Sequence, residues 1–267
     1  MILIPQYRTA RRAGAAAFSM LDLSPVLWLD ASDSATLFDA DTGGSLPTDG
    51  NDVLRWEDKS GNAYHYTNAS GATAPLRQTA AVNGLDALEF MGAEFLLRET
   101  DTPLHRNVSG ATQIVICQSD ITTTSTAYTV SRGNNATFVR TNVASSAITT
   151  NRISLSGRRL DADAGINVTS STNHGTGAIC LIGVFDYGNN DLILYQNGSN
   201  VGQNLSFNSA GSTSDTNSLR SRIGADLAGT SSFWNGFICE IAVIHSVLDA
   251  GQIADVTAYA QSKWGTP

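Results

Sequence analysis

Leu192-Ile193-Leu194-Tyr195-Gln196-Asn197-Gly198 is the stretch from which the fold can be read. A short apolar run leads up to an Asn-Gly pair, and that pair tolerates the positive φ angles of a tight hairpin turn. A strand turning back on itself here predicts antiparallel pairing. Outward in both directions the same signature recurs. Short apolar or alternating runs fall at Val26 to Leu29, Asp86 to Phe90, Glu94 to Leu97, Thr112 to Gln118, Ala127 to Ser131, Ala136 to Arg140, Ala178 to Phe185, Leu219 to Ile223 and Phe237 to His245. Turn signals separate them, among them Ser60-Gly61-Asn62, Asn83-Gly84 and Arg132-Gly133-Asn134-Asn135.

Helical periodicity is absent until the end of the chain. There Ile253, Val256, Ala260 and Trp264 recur at intervals of three and four and Gly265 stands where a helix would stop, which predicts one short amphipathic helix. Many strands without intervening helices imply two packed sheets or a barrel, and 267 residues favour the sandwich. The expected architecture is an all-β, two-sheet antiparallel jelly-roll sandwich over residues 26–267, preceded by an extended N-terminal arm over residues 1–25.

Composition narrows the function. With 42% hydrophobic residues, 15% charged residues and 24 glycines the chain is packed and turn-rich rather than disordered. A net charge of −8 argues against nucleic acid as a partner, and no run approaches the ~20 apolar residues of a membrane-spanning helix. Cys117, Cys180 and Cys239 each sit in an apolar run and read as buried thiols. A disulfide between two of them is the alternative. Unpaired thiols suit folding in a reducing cytoplasm.

Several segments resemble a known family. The hairpin quoted above, Ile223-Gly224-Ala225, and Phe233-Trp234-Asn235-Gly236-Phe237-Ile238-Cys239-Glu240-Ile241-Ala242-Val243 follow in the order seen in concanavalin A-like, laminin G-like jelly rolls, and Leu248 to Trp264 matches their terminal helix. Near the start, Leu27-Trp28-Leu29-Asp30-Ala31-Ser32-Asp33 and Trp56-Glu57-Asp58-Lys59-Ser60-Gly61-Asn62 are similar to openings of bacterial and bacteriophage members. The resemblance implies the fold and leaves function open, since lectins, glycosidases, adhesion modules and virion proteins share it. Many members of this family hold calcium on a sandwich rim, but no cofactor is expected here. Eight acids (Asp30, Asp33, Asp39, Asp41, Asp49, Asp52, Glu57 and Asp58) crowd the first loops, but their spacing fits no EF-hand, and carboxylates solvated in turns are the alternative reading.

Catalytic signatures are missing. Glycosidases of this fold carry a Glu-x-Asp-x-x-Glu strand that aims two carboxylates into one cleft, and the sequence has none. The spaced acid pairs Asp39/Asp41, Glu99/Asp101 and Asp161/Asp163 lie in turn sequences. A Gly-x-Ser-x-Gly elbow and the zinc patterns His-Glu-x-x-His and Cys-x-x-Cys are absent as well, so no enzymatic activity and no metal ligands are expected. For carbohydrate, an exposed aromatic loop is needed, and Tyr64-His65-Tyr66 is the candidate. Trp234 is expected to pack beside a core strand.

The first 25 residues differ in kind from the rest. Ile4, Tyr7 and Phe18 with Arg8, Arg11 and Arg12, and no acid before Asp22, suit docking to a neighbour through strand addition or charge-assisted contacts. Together with this arm, the similarity of the opening motifs to bacteriophage members implies a non-enzymatic virion component (decoration, collar, tail or fibre), assembled in a host cytoplasm. It would attach through this arm to other virion proteins, form a homo-oligomer and display its sandwich, with host-surface glycan as a further partner. The competing expectation is a carbohydrate-binding, lectin-like module of a bacterial or phage surface protein.

Overall fold

The computed structural model describes residues 18–99, 102–120, 125–132, 142–149, 151–216 and 218–267. In chain order its strands are β1 (Leu27–Asp30), β2 (Leu37–Phe38), β3 (Arg55–Trp56), β4 (Tyr66–Thr67), β5 (Leu76–Val82), β6 (Leu85–Met91), β7 (Leu96–Arg98), β8 (Ala111–Ser119) and β9 (Ser125–Arg132). These are followed by β10 (Asn142–Thr149), β11 (Arg152–Gly157), β12 (Ile166–Asn173), β13 (Ile179–Asp186), β14 (Asp191–Gln196), β15 (Ser199–Asn204), β16 (Ser218–Ile223), β17 (Asn235–Ile244) and the helix α1 (Ala250–Trp264). Among the described residues they form a two-sheet antiparallel sandwich. One sheet has 8 strands, in the order β15-β14-β13-β8-β17-β6-β5 with β1 also on β17; the other has 9, in the order β12-β11-β10-β9-β16-β7-β4-β3-β2.

The first sheet is covered on both faces. Its inner face meets the second sheet in a core that includes Leu29, Val115, Phe185, Ile238, Ile241 and Val243. Its outer face is roofed by α1 over Trp28, Ile114, Cys180, Cys239, Ala242 and Ile244. This is why β8, β13 and β17 read as nearly unbroken apolar runs, whereas β14 alternates. The helix contributes Ile253, Val256, Ala260 and Trp264 to the roof, as its periodicity requires. Asp249 and Gln252 form a reciprocal capping box at its start, and Gly265 closes it at φ 68°.

A bulge in β17 decides which face Glu240 takes. In the ladder with β8, Ile238 pairs with Cys117 and Glu240 with Ile116, so Cys239 is the extra residue, and its carbonyl accepts from Ala31 N–H at 3.0 Å. Strict alternation from Ile238 would send Glu240 into the space between the sheets. The added residue shifts the parity, so that Ile241 and Val243 rejoin the inner core and Glu240 faces the helix.

Glu240 is fully buried there, ringed by donors. Its carboxylate accepts from Trp28 Nε1 (2.6 Å), Trp264 Nε1 (2.8 Å), Tyr259 Oη (2.9 Å) and Lys263 Nζ (3.1 Å). Lys263 also reaches Asp30 Oδ1 at 2.9 Å, and Lys59 joins Asp30 to Asp33 at 2.9 and 2.8 Å. Strands β1 and β17, the loop after β3, and α1 are thereby tied through one polar cluster. Burial raises the Glu240 carboxyl, with the Asp30 charge adding to it, against Lys263 and the two indoles. Burial acts in the same sense on Asp30, but there Lys263, Ser32 and Lys59 prevail and hold it below 3.8.

The chain enters the domain earlier than expected. Phe18 packs edge-to-face on Tyr259 of α1 at 5.7 Å, and Met20 and Leu23 are buried in the helix-side core. The expected arm of residues 1–25 is therefore body from Phe18 onward. Its other members, Ile4, Tyr7, Arg8, Arg11 and Arg12, lie outside the described residues, as does the expected strand Ala136 to Arg140. Trp234 is wholly buried in the inter-sheet core. The three cysteines are buried and unpaired.

Replacing Glu240 with Ala leaves two indole N–H groups and the Tyr259 hydroxyl without their buried acceptor and Lys263 with Asp30 as its remaining carboxylate. The expected loss is ~3–5 kcal/mol of unfolding free energy, read as a lowered urea midpoint. Because the Asp30 carboxyl is depressed in the folded chain, its contribution is complete above pH 3.8 and disappears as the pH falls below that value. Thermal melts taken downward from pH 5 should fall more steeply for the wild type than for Asp30→Asn, and equal slopes would contradict the assignment.

Candidate functional site

The hairpin that defines the fold also builds one wall of a groove. Between β14 and β15, Asn197 (φ 49°) and Gly198 (φ 78°) make a two-residue turn with both central residues left-handed. Gly198 is required twice over, since a Cβ there would also approach Thr257 Oγ1 of α1 to 2.8 Å. Asn197 is clamped to the sheet. Its N–H donates to the Cys180 carbonyl at 2.9 Å, and its Oδ1 accepts from Cys180 N–H at 2.9 Å. The carboxamide is thus fixed, with its Nδ2 hydrogens left for another partner.

Where hairpin and helix diverge, an open groove of about 450 Å³ runs between them, lined by Tyr195, Asn197 and Ser199 on one side and by Ile253, Thr257 and Gln261 on the other. Tyr195 is half-buried against the helix-side core, and Ser199 and Gln261 are exposed. Gln261 Nε2 donates to the Pro267 carbonyl at 2.9 Å, which leaves its Oε1 as an acceptor. Thr257 Oγ1 donates to the Ile253 carbonyl at 2.7 Å and likewise offers lone pairs outward. Every side chain lining the groove is uncharged. The volume falls within the ~300–1,000 Å³ of small-molecule sites.

The sequence-predicted aromatic loop is differently disposed. Tyr66 presents no ring to solvent. It is fully buried, with its hydroxyl 2.9 Å from Tyr128 Oη and 2.6 Å from Ser221 Oγ, and burial pushes its phenol up to about 12. Instead of lying in an exposed loop, Tyr66 stands in β4 opposite Trp56 of β3 and joins the inter-sheet core. Tyr64 is half-buried with the Arg98 guanidinium 5.0 Å from its ring centre. His65 Nδ1 accepts from Asp58 N–H at 3.0 Å. The three residues therefore do not form a stacking platform.

The acids of the opening loops are not gathered around a common point. Asp58 ties its loop by accepting from the N–H groups of Trp28, Ser60 and Tyr64, Asp49 accepts from Thr79 and Asp39 from Ser45. Among the described residues no three His, Cys, Asp or Glu side chains come together as a metal-binding group.

Solved structures with a similar fold include the botulinum neurotoxin serotype D ligand-binding domain in complex with N-acetylneuraminic acid, at TM-score 0.60 and 11% identity over 92% of this chain and 55% of that one. Trypanosoma rangeli sialidase, in complex with a difluoro-KDN ligand, matches at TM-score 0.59 and 12% identity over 99% of this chain and 37% of that one. The botulinum neurotoxin serotype G binding domain matches at TM-score 0.54 and 14% identity over 91% and 54%. The chain thus spans about half or less of each of these proteins. The likeness establishes the concanavalin A-like sandwich and, at such identities, the fold alone. No protein-family model matches the sequence, and no curated protein matches it.

Since the Tyr66 hydroxyl is internal, Tyr66→Phe should cost about 1–2 kcal/mol of stability by stranding Tyr128 and Ser221. Ligand binding by the folded variant should be unchanged. A loss of saccharide binding without a loss of stability would return this loop to candidacy.

Proposed function

We propose that this chain is a carbohydrate-binding module that binds saccharide in the groove between α1 and the β14–β15 hairpin and does not cleave it. One observation carries the reading: the Asn197 carboxamide, clamped by Cys180, stands in the groove beside the Tyr195 ring with hydroxyl and amide groups around it. Sugar recognition needs this combination, because a pyranose offers an apolar face for an aromatic ring and a rim of hydroxyls that both donate and accept. A fixed carboxamide loses little freedom on binding, which favours affinity in an open site.

The fold neighbours support the reading, because two of them were determined with acidic sugar-type ligands bound. The lining has hydroxyls and amides and no carboxylate to serve as acid, base or nucleophile, which supports binding over cleavage in this groove. The expectation of a virion component rests on residues 1–25 and the opening motifs alone, and the groove offers a more specific function.

Calorimetric titration of the full chain with an oligosaccharide panel should show saturable binding without release of new reducing ends. Tyr195→Leu keeps an apolar residue against the core but removes the ring and hydroxyl, and should weaken binding by about tenfold, ~1.4 kcal/mol, at nearly constant melting temperature. Failure of every saccharide to bind, or release of products, would overturn the proposal.

A further inference from the structure

The same groove carries a statement about which saccharides it admits. We infer that it takes uncharged sugars and rejects acidic ones, an inference that rests on the glycan reading above. Three features lead to it.

The first is the lack of a counter-charge. Neither β14 nor β15 contains a lysine or arginine. The single basic residue of α1, Lys263, lies on the opposite flank of the helix, bound to Asp30 and Glu240. A sugar carboxylate entering the groove would surrender water without gaining a cation, which is costly even at a partly exposed site.

The second is the polarity of the hydrogen-bonding groups. Gln261 commits one of its two Nε2 hydrogens to Pro267 and Thr257 commits its hydroxyl proton to Ile253, so the helical wall presents acceptors at Gln261 Oε1 and Thr257 Oγ1 and a single remaining amide donor. Sugar hydroxyls can donate to both oxygens, whereas a carboxylate can only accept and meets lone pair against lone pair at each of them. On the other wall Asn197 supplies donors, and Tyr195 and Ser199 have hydroxyls that can act in either sense. The pair of walls therefore matches a ligand that both gives and receives hydrogen bonds.

The third is the field of the chain, whose net charge of −8 repels anions at low ionic strength. The helix adds Asp249 and Asp255 on its exposed side and no free cation to offset them.

The test compares neutral galacto- and gluco-oligosaccharides with size-matched members ending in a uronic acid or N-acetylneuraminic acid, titrated into the full chain at low and at physiological salt. Neutral members should bind about tenfold or more tightly than their acidic counterparts, with the gap narrowing as salt screens the repulsion. Gln261→Arg, an exposed helical position, should raise the affinity for the acidic members and narrow the gap further. Asn197→Asp keeps the clamp to Cys180 and tolerates the turn, yet replaces the donor with a charge, and should weaken binding of the neutral members. Equal or tighter binding of acidic members by the wild type overturns the inference and leaves the glycan reading standing. Binding of neither series overturns the reading and the inference together.

Discussion

A single buried carboxylate holds the outer layer of this protein together. Glu240 sits in the middle of an apolar strand with no exposed atom, and it is tolerable there because four donors surround it: two indoles, a phenol and an ammonium group. Three of the four come from α1. The helix is therefore positioned by directional bonds as well as by its apolar stripe, and those bonds specify its rotation and its height along β17. An apolar stripe alone would permit sliding. Buried polar groups of this kind contribute more to a unique arrangement than to net stability, since desolvation offsets much of their attraction.

That positioning has a consequence on the far side of the helix. The flank carrying Tyr259 and Lys263 is occupied by the polar cluster, and the flank carrying Thr257 and Gln261 faces the hairpin. The helix touches the hairpin where Gly198 meets Thr257, and the groove opens where the two diverge. Its binding groups are thus set by two clamps with no residue in common: Glu240, acting through α1, and the Asn197–Cys180 pair, acting through β13 and β14. A site mounted on a helix and a hairpin held in this way is better preorganised than one on a mobile loop.

Much of the architecture was legible in the residues. The Asn197-Gly198 turn, the helical stripe ending at Trp264 and the apolar runs that became β8, β13 and β17 each announce their structure locally. Strands β10, β12 and β15 escaped notice, because Asn, Ser and Thr fill most of the positions where apolar residues would have marked the alternation. The two-residue strands β2, β3 and β4 are too short for any period to show. Tyr66 reads as part of an exposed loop because β4, the strand that buries it, is only 2 residues long and leaves no period in the sequence. Glu240 did give a signal, as one acid in Ile238-Cys239-Glu240-Ile241-Ala242-Val243, but its meaning depended on a bulge at Cys239 that no local pattern betrays. The groove was invisible for a similar reason. Its walls are some sixty residues apart in the chain, and Tyr195, Asn197 and Gln261 are individually ordinary.

Amide hydrogen exchange under native conditions measures directly whether Glu240 sets the position of α1. The amides of Val256 to Trp264 should be protected nearly as strongly as those of β17 in the wild-type chain. In Glu240→Gln, which preserves shape and removes the charge, they should exchange faster while β8 and β13 keep their protection. Unchanged protection of α1 in that variant would contradict the central role assigned to the carboxylate and leave apolar packing as sufficient to hold the helix.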